Sequence, residues 1–390
     1  MILIDKPYIS DFLIKTIKEN NIQIISTSAA RELISDNSLN WISEEDAINN
    51  FKANANSLLL SNSENSISWI EKNLGFTNLP NQINVFKNKI KFRELLKDTY
   101  PNYFFKGIKF EELKQFKIDD IKFPFIIKPA IGFFSIGVYK VESLDEWTQT
   151  IDKIELDIEK IKGFYPKEVV DVTEFIIEEI IEGEEYAIDC YFDHEGEPII
   201  LNIFHHIFSS KDDLSDRIYS SSKEIIESLK SKFEEFLKLI SAKTDLKNFP
   251  AHIEIRIDKD GNINPIEVNP LRFGGWCSTG DLTWFAYEFN SYEYFLKGKK
   301  PDWGYILKTR KDKKYSIVVL DNSSGYGTDE IEFFDYDFLL KDFNKPLDLR
   351  KVNMKGFPIF GFLFTETSAD KQAELDEILN SNLRKYIKLK

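Results

Sequence analysis

The sequence predicts an α/β protein in which a small N-terminal α/β domain precedes a two-lobed core of antiparallel sheets, and a C-terminal α+β extension follows. Short apolar segments alternate with amphipathic helical segments at the start of the chain, which is typical of a compact α/β unit. Later strands are paired across turns that a glycine closes, which is typical of β-hairpins. We therefore place the N-terminal domain at residues 1–85, the core at 86–300 and the extension at 301–390.

In the N-terminal domain, residues 2–5 and 22–25 are predicted to be strands, with a helix at 8–20 between them. Three leucines at 58–60 predict another buried strand, and a helix near 66–73 follows and ends at Gly75. The sequence after the first strand has no glycine-rich turn. It therefore lacks the fingerprint of a dinucleotide-binding domain.

The core begins with a basic helical segment at 88–97, which Pro101 ends. Its first lobe, at 121–182, is predicted from strands and a helix at 123–129, 138–141, 144–161 and 172–181, with a glycine-containing loop at 130–137. Its second lobe, at 186–300, is predicted from hairpins turning at 193–196 and 258–261 and a helix at about 221–240. The extension carries predicted strands at 316–320 and 357–364 and a final helix at about 369–382.

Charge and composition exclude several classes of protein. The net charge is −14, and a nucleic-acid binder needs clustered cations, so no nucleic-acid partner is expected. No apolar run approaches the ~18 residues that span a bilayer, so no membrane association is expected. Cys190 and Cys277 form neither a disulfide framework nor a metal motif, and they indicate a reducing compartment. Early charges at Asp5 and Lys6 interrupt any signal-peptide core, so we expect a cytoplasmic protein.

The second hairpin of the core carries the most informative pattern in the sequence. Strand periodicity puts Glu254 on a polar face of one strand, and Glu267 and Asn269 on a polar face of the next. Apolar must face apolar, so any register that satisfies this brings the three side chains together. Two carboxylates and an amide oxygen are ligands that suit Mg²⁺. The alternative is the solvated outer face of an amphipathic sheet.

Arg272 follows this hairpin in a turn that also contains Gly274 and Gly275. The chain has only 8 arginines, and a guanidinium one turn beyond a metal cluster can hold a carboxylate or a terminal phosphate. The alternative is an ordinary loop arginine.

Lys128 lies at the end of an apolar strand, where a buried cation needs a partner such as a phosphate oxygen. The loop 130–137 then offers backbone N–H groups, the Ser135 hydroxyl and glycines that allow it to close over phosphates. Its phenylalanines, Phe133 and Phe134, also fit a hydrophobic plug at a sheet edge.

The acidic segment 178–185 reads as a link between the two lobes, with backbone groups free for an adenine edge and a carboxylate free for ribose hydroxyls. The alternative is a solvated strand end that is rich in glutamate.

Taken in order and spacing, these motifs resemble the ATP-grasp superfamily over roughly residues 85–300, and the preceding α/β unit is similar to the family's usual N-terminal domain. The resemblance implies that the nucleotide binds between the two antiparallel sheets of the core. It also implies ATP and Mg²⁺ as cofactors, with Mn²⁺ as a substitute for Mg²⁺. It assigns the site residues as follows: phosphate contacts at Lys89, Lys128 and Ser135; adenine contacts at Glu178, Glu179 and Ile181; a ribose contact at Glu185; metal ligands at Glu254, Glu267 and Asn269.

By the same resemblance Arg272 contacts the substrate or the γ-phosphate, although Leu271 is inserted before it and Asn88 replaces the usual acidic residue before Lys89. Arg217, in a polar loop after a strand, is a second candidate for reaching the cleft, and a surface role is its alternative. Residues 276–281 are expected to shape the acceptor side.

The resemblance implies an ATP-dependent carboxylate–amine (or thiol) ligase that activates a carboxylate as an acyl phosphate and releases ADP and phosphate. The substrates implied are small molecules, a carboxylate and an amine such as amino acids or a peptide. The alternatives are a small-molecule kinase on the same fold and a non-catalytic nucleotide-binding module. The extension at 301–390 matches no known motif; it either covers the acceptor pocket or forms a homodimer interface.

Overall fold

A computed structural model describes residues 1–118, 121–132, 137–161, 171–210, 215–354, 357 and 359–390 of the protein. Parallel and antiparallel sheets with packed helices confirm the predicted α/β class. In this described part of the chain, every helix is too short or too polar to cross a membrane.

The N-terminal part is a four-stranded parallel sheet. Its strands are β1 (Ile2–Leu3), β2 (Ile24–Ile25), β3 (Trp41–Ile42) and β4 (Leu60–Ser61), which lie in the order β3-β2-β1-β4. Its helices are α1 (Asp11–Glu19), α2 (Ser28–Leu33), α3 (Glu44–Ala53) and α4 (Ile67–Asn73). The first three begin because Ser10, Thr27 and Ser43 each accept a hydrogen bond from the backbone N–H three residues later.

Two consecutive helices, α5 (Leu79–Lys87) and α6 (Lys89–Leu96), lead into a small lobe. The strands of its antiparallel sheet are β5 (Phe105–Lys109), β6 (Phe125–Ile131), β7 (Tyr139–Val141) and β8 (Asp171–Glu179), in the order β5-β8-β6-β7. Helix α7 (Leu144–Ile161) packs Trp147 and Ile151 with Phe125 and Phe175 in a core that belongs to this lobe alone.

A large antiparallel sheet forms the second lobe. Its first five strands are β9 (Glu184–Phe192), β10 (Pro198–Ile207), β11 (Ile218–Ser222), β12 (Phe249–Ile257) and β13 (Ile263–Pro270). The hairpin of β12 and β13 carries the predicted metal ligands and is called the metal hairpin. The predicted turns are confirmed, because Gly196 and Gly261 each close a hairpin with a positive φ, +90° and +83°. The helices of this lobe are α8 (Lys223–Thr244), α9 (Ser278–Tyr287), α10 (Ser291–Leu296) and α11 (Trp303–Ile306).

The C-terminal extension continues this large sheet. Its elements are β14 (Lys313–Asp321), β15 (Ile331–Phe334), α12 (Tyr336–Leu340), β16 (Pro346–Lys351), β17 (Ile359–Ser368), α13 (Ala373–Leu379) and β18 (Ile387–Leu389). The full strand order is β13-β12-β9-β10-β11-β14-β17-β16, so three strands of the extension extend the sheet that carries the predicted metal ligands. Strands β15 and β18 form a separate pair.

The N-terminal part and the second lobe share one hydrophobic core. Phe86 of α5 packs against Phe249 of β12, with ring centroids 6.0 Å apart. The small lobe connects to this larger body through the segment after β8, where Gly183 has φ +120°. A Cβ at Gly183 would lie 2.1 Å from the backbone oxygen of Ile257, so the close approach requires glycine.

Candidate active site

The three residues predicted as metal ligands lie together on the β12–β13 hairpin. Glu254 pairs directly with Glu267 across the hairpin, and His252 pairs with Asn269. The Asn269 side-chain amide donates to Glu254 Oε1 at 3.4 Å and to Glu267 Oε1 at 3.2 Å. The predicted shared face is therefore present in the fold.

The two glutamates of this group, Glu254 and Glu267, have different electrostatic surroundings. Burial and the charge of Glu267 raise the pKa of Glu254. Burial opposes the charge of Glu267 as well, but Lys89, 3.3 Å from its Oε2, and Lys87 outweigh it and lower its pKa. Two carboxylates held this close fit a site that a hard cation completes. Among the described residues no three His, Cys, Asp or Glu side chains group as a metal site, and the third residue beside these two carboxylates is Asn269.

His252 supports Glu254 from behind. Its Nδ1 lies 2.7 Å from Asp189 Oδ1 and its Nε2 lies 3.5 Å from Glu254 Oε1. Burial opposes protonation, but the hydrogen bonds to both carboxylates raise the pKa of His252 to about 9. Strand alternation places His252 on the face of Glu254, but its partner Asp189 comes from β9, so only the fold indicates its role.

Lys128 ends in a buried ion-pair cluster with Glu178. Its Nζ lies 2.5 Å from Glu178 Oε1, and the Nε of Arg93 donates to Oε2 at 2.8 Å. Burial would raise the pKa of Glu178, but the two cations hold it well below its usual range. Arg93 also donates to the Pro265 carbonyl at 2.9 Å, so it ties the small lobe to the metal hairpin. Sequence reasoning singled out the segment around Arg93 but missed this residue.

Lys89 lies between the metal hairpin and the glycine-containing loop. Its Nζ donates to the Gly132 carbonyl at 3.2 Å, in addition to its contact with Glu267. Asn88, which stands where an acidic residue was expected, caps helix α6 by accepting from the N–H groups of Ile90 and Lys91. Ser135, like Phe133 and Phe134, lies outside the described residues.

The predicted adenine link has specific backbone partners. The Glu179 N–H donates to the Phe104 carbonyl at 3.1 Å, and the Glu179 carbonyl accepts from the Tyr103 hydroxyl at 3.2 Å. The Ile181 carbonyl accepts from the Arg256 guanidinium at 2.5 Å. These contacts fix the course of the link between the two lobes.

Glu185 is buried at the far end of the link. Its oxygens lie 2.8 Å from His206 Nδ1 and 2.9 Å from Arg256 Nε. Burial opposes its charge, but the hydrogen bond and charge of His206, followed by Arg256, lower the pKa of Glu185. The ring of His206 lies between Phe208 and Tyr219, with centroid distances of 4.0 and 4.1 Å. The sequence identified Glu185 as a candidate, whereas its partner His206 comes from a different strand, β10, and only the fold brings the two together.

Arg272 is held by the N-terminal part of the protein. Its Nε and one terminal nitrogen contact Glu64 Oε1 at 3.1 and 2.5 Å, and its other terminal nitrogen donates to the Phe273 carbonyl at 2.8 Å. Glu64 also forms an ion pair with Lys87. Glu64 pairs with Arg272, and the charges of Lys87 and Glu64 also affect the pKa of Glu267. No local sequence pattern indicated a role for Glu64 or Lys87.

Arg217 does not join the other predicted residues, which corrects the expectation that it reaches the cleft. Its Nε pairs with Asp321 at 2.7 Å, and its terminal nitrogens donate to the Ser323 hydroxyl and to the carbonyls of Ile378 and Ser381. The physical reason is the sheet order: β11 pairs with β14, so the side chain is engaged by the C-terminal extension.

Comparisons with known proteins accord with this geometry. The sequence model of the ATP-grasp domain matches residues 121–280. A search among functionally curated proteins finds no match. Among solved structures, an L-amino acid ligase from Bacillus licheniformis matches with a TM-score of 0.70 and 17% identity, over 100% of this chain and 98% of that one.

Two further structures show the same fold. Biotin carboxylase from Campylobacter jejuni matches with a TM-score of 0.64 and 12% identity, over 100% of this chain and 91% of that one. N5-carboxyaminoimidazole ribonucleotide synthetase from Thermotoga maritima matches with a TM-score of 0.63 and 14% identity, over 100% and 98%. At these identities the likeness shows the fold.

Proposed function

We propose that the chain is an ATP-dependent ligase that joins a small carboxylate to an amine and releases ADP and phosphate, because residues 121–280 match the ATP-grasp domain and the whole chain shares its fold with an L-amino acid ligase. In this proposal the carboxylate is first activated as an acyl phosphate, and amino acids or a small peptide are the substrates. The solved structures that share this fold, an amino acid ligase among them, support this class of reaction.

The observation that carries the proposal is that Glu254, Glu267 and Asn269 lie together directly beside Lys89. Lys128 belongs to the same cluster of charges. Phosphoryl transfer needs little covalent chemistry from the protein, and it depends on positive groups placed where charge develops. This arrangement of residues supplies such groups.

Glu254, Glu267 and Asn269 would hold Mg²⁺, or Mn²⁺ in its place, and the bound ion would neutralise charge on the phosphate groups. Lys89 and Lys128 would add fixed positive charges beside this set of residues. Glu178 keeps Lys128 charged and oriented, although burial lowers the pKa of that lysine.

The remaining predicted residues have supporting roles in this proposal. The Glu179 backbone groups and the Ile181 carbonyl already have protein partners, so Ile181 would present its backbone N–H to the adenine ring. Glu185 would bind the ribose. Arg272 would orient the carboxylate substrate or the terminal phosphate, with its own position set by Glu64. Cytoplasmic location and homodimer assembly remain predictions.

The direct test measures ADP release from the protein with ATP, Mg²⁺ and a panel of carboxylic acids, with and without amines. Hydroxylamine is added because it traps an acyl phosphate as a hydroxamate. A hydroxamate formed with ADP release supports the ligase. A stable phosphorylated alcohol would support the kinase alternative instead, and nucleotide binding without turnover would support a non-catalytic module.

A pair of variants tests the metal assignment. Glu267→Gln removes one proposed ligand and is expected to lower ADP release by at least about 100-fold. Glu366→Gln is the matched control, because Glu366 lies on β17 of the same sheet and also pairs with lysines, Lys313 and Lys345. Unchanged turnover in the Glu267→Gln protein would refute the assignment.

A further inference from the structure

The loop between β13 and α9, residues 271–277, has an unusual backbone. Leu271, Trp276 and Cys277 have positive φ angles of 59°, 57° and 59° although none of them is glycine. A side chain makes this left-handed conformation costly, so it persists only where surrounding groups hold it. Such conformations are concentrated at functional sites.

Each of these three residues has its carbonyl held by a different part of the fold. The Leu271 carbonyl accepts from the Ser61 N–H of β4 at 2.7 Å. The Cys277 carbonyl accepts from the Tyr292 hydroxyl of α10 at 3.3 Å. The Trp276 carbonyl accepts from the Arg350 guanidinium of β16 at 2.7 Å, so the C-terminal extension supplies the third donor.

Arg350 also holds the helix that follows the loop. Its second terminal nitrogen pairs with Asp281 Oδ2 of α9 at 2.6 Å, and Asp281 Oδ1 accepts from Tyr292 at 2.9 Å. The guanidinium is buried against aromatic rings, 5.1 Å from the ring centroid of Tyr8 and 5.0 Å from that of Phe364. Its planar fork of donors therefore holds loop 271–277 and the first turn of helix α9 together.

The loop connects to the proposed metal site by a second route besides the chain itself. The Gly274 N–H lies 3.2 Å from Asp189 Oδ1, the same oxygen that contacts His252 Nδ1. His252 in turn lies beside Glu254. A displacement of the loop would therefore reach the cleft through direct hydrogen bonds.

We propose that Arg350 is a positioning residue for the reaction, which holds loop 271–277 in the shape that orients the carboxylate and amine substrates. This inference rests on the proposed function. It assigns the C-terminal extension, which matches no motif in the sequence, a part in organising the active site. The role requires a guanidinium, because only a fork of donors reaches both the Trp276 carbonyl and Asp281.

The kinetic test compares Arg350→Met with Arg310→Met. Arg310 is a matched control because it contacts the opposite, C-terminal end of helix α9. There it donates to the Ala286 carbonyl at 2.7 Å and pairs with Glu288. Arg350→Met is expected to lower kcat/KM for the organic substrates by about 10- to 100-fold, with the KM for ATP within about two-fold of wild type. Arg310→Met should leave both values near wild type.

Arg350→Lys keeps the charge and stem, so it separates loss of the fork from loss of folding. The Arg350→Lys protein should fold, and it should still lose kcat/KM for the organic substrates while the KM for ATP stays near wild type. Arg350→Ala with added guanidinium should regain part of the lost kcat/KM. An equal loss for all substrates, or no loss, would overturn the proposal.

A measurement without turnover keeps this inference separate from the proposed function. With fluorinated tryptophan, the resonance of Trp276, assigned from a Trp276→Phe protein, should shift or broaden in Arg350→Met and Arg350→Lys but not in Arg310→Met. If wild type releases no ADP with any substrate, the ligase proposal fails, whereas this resonance still tests the loop. An unchanged Trp276 resonance in both Arg350 variants would refute the positioning role.

Discussion

Glu64→Gln is a substitution whose effect on stability can be worked out from the structure. Glu64 is buried, and its carboxylate pairs with Lys87 and with Arg272. Glutamine keeps the shape of the side chain and removes its charge. The substitution therefore leaves two buried cations without their common partner.

Two independent routes give a similar magnitude. Burial opposes the charge of Glu64, but Lys87 and Arg272 outweigh it and lower its pKa from 4.5 to about 2. At 1.36 kcal/mol per pKa unit, this difference corresponds to about 3 kcal/mol of stability. Removal of one partner from a buried ion pair costs about 3–5 kcal/mol in other proteins.

The sign of the pH dependence follows from the lowered pKa. The contribution of Glu64 is fully present above the unfolded pKa of 4.5 and is lost as the pH falls toward the folded pKa of about 2. Wild type should therefore exceed Glu64→Gln in stability at neutral pH, and the gap should narrow below about pH 4.5.

Urea unfolding across this pH range measures the gap, with Glu32→Gln as the control. Glu32 pairs with Lys6 on the surface, where both side chains are more than half exposed, so its loss should cost about 0–1 kcal/mol. If Glu64→Gln is as stable as Glu32→Gln at neutral pH, or if the gap is constant down to pH 3, the reasoning on this buried cluster is refuted.

Three other substitutions have defined outcomes. Lys128→Met should lower kcat/KM for ATP by about 100-fold or more, measured by ADP release, because it removes a buried cation from the proposed phosphate site. Arg217→Met should lower stability by about 2–4 kcal/mol while the KM for ATP stays within about two-fold, because its partners belong to the C-terminal extension; a large change in KM would restore Arg217 to the active site. Gly183→Ala should weaken binding of a non-hydrolysable ATP analogue in a titration, because the new Cβ would meet the Ile257 carbonyl and displace the link between the two lobes. Gly298→Ala is the control and should leave binding unchanged, because Gly298 also has a positive φ, +62°, but lies in open space.

The parts of the site that the sequence predicted depend on local periodicity. Glu254, Glu267 and Asn269 could be placed together because the alternation of apolar residues restricts the register of a hairpin. The turns at Gly196 and Gly261 and the long helices α7 and α8 could be predicted as well, because each follows from a pattern within one short segment of sequence. These features require only neighbours in the chain.

The parts that sequence reasoning missed depend on distant partners. Glu64 and Arg272 are 208 positions apart, and nothing in either local segment indicates the other. Arg217 stood in a polar loop, as a substrate-binding arginine would, and only the pairing of β11 with β14 directs it elsewhere. His252 was visible on the correct face, but its function as a support for Glu254 requires Asp189 from another strand.

The continuous eight-stranded sheet determines how the protein can be divided. The sequence predicts a domain boundary near residue 300, but Ile218–Ser222 of β11 pairs along its length with β14, beyond that boundary. A truncated protein that ended there would expose the N–H and C=O groups of a central strand as an open edge, and such edges recruit strands from other molecules. The first 300 residues contain every residue of the proposed nucleotide and metal site, but we expect them to self-associate through this edge when the extension is removed.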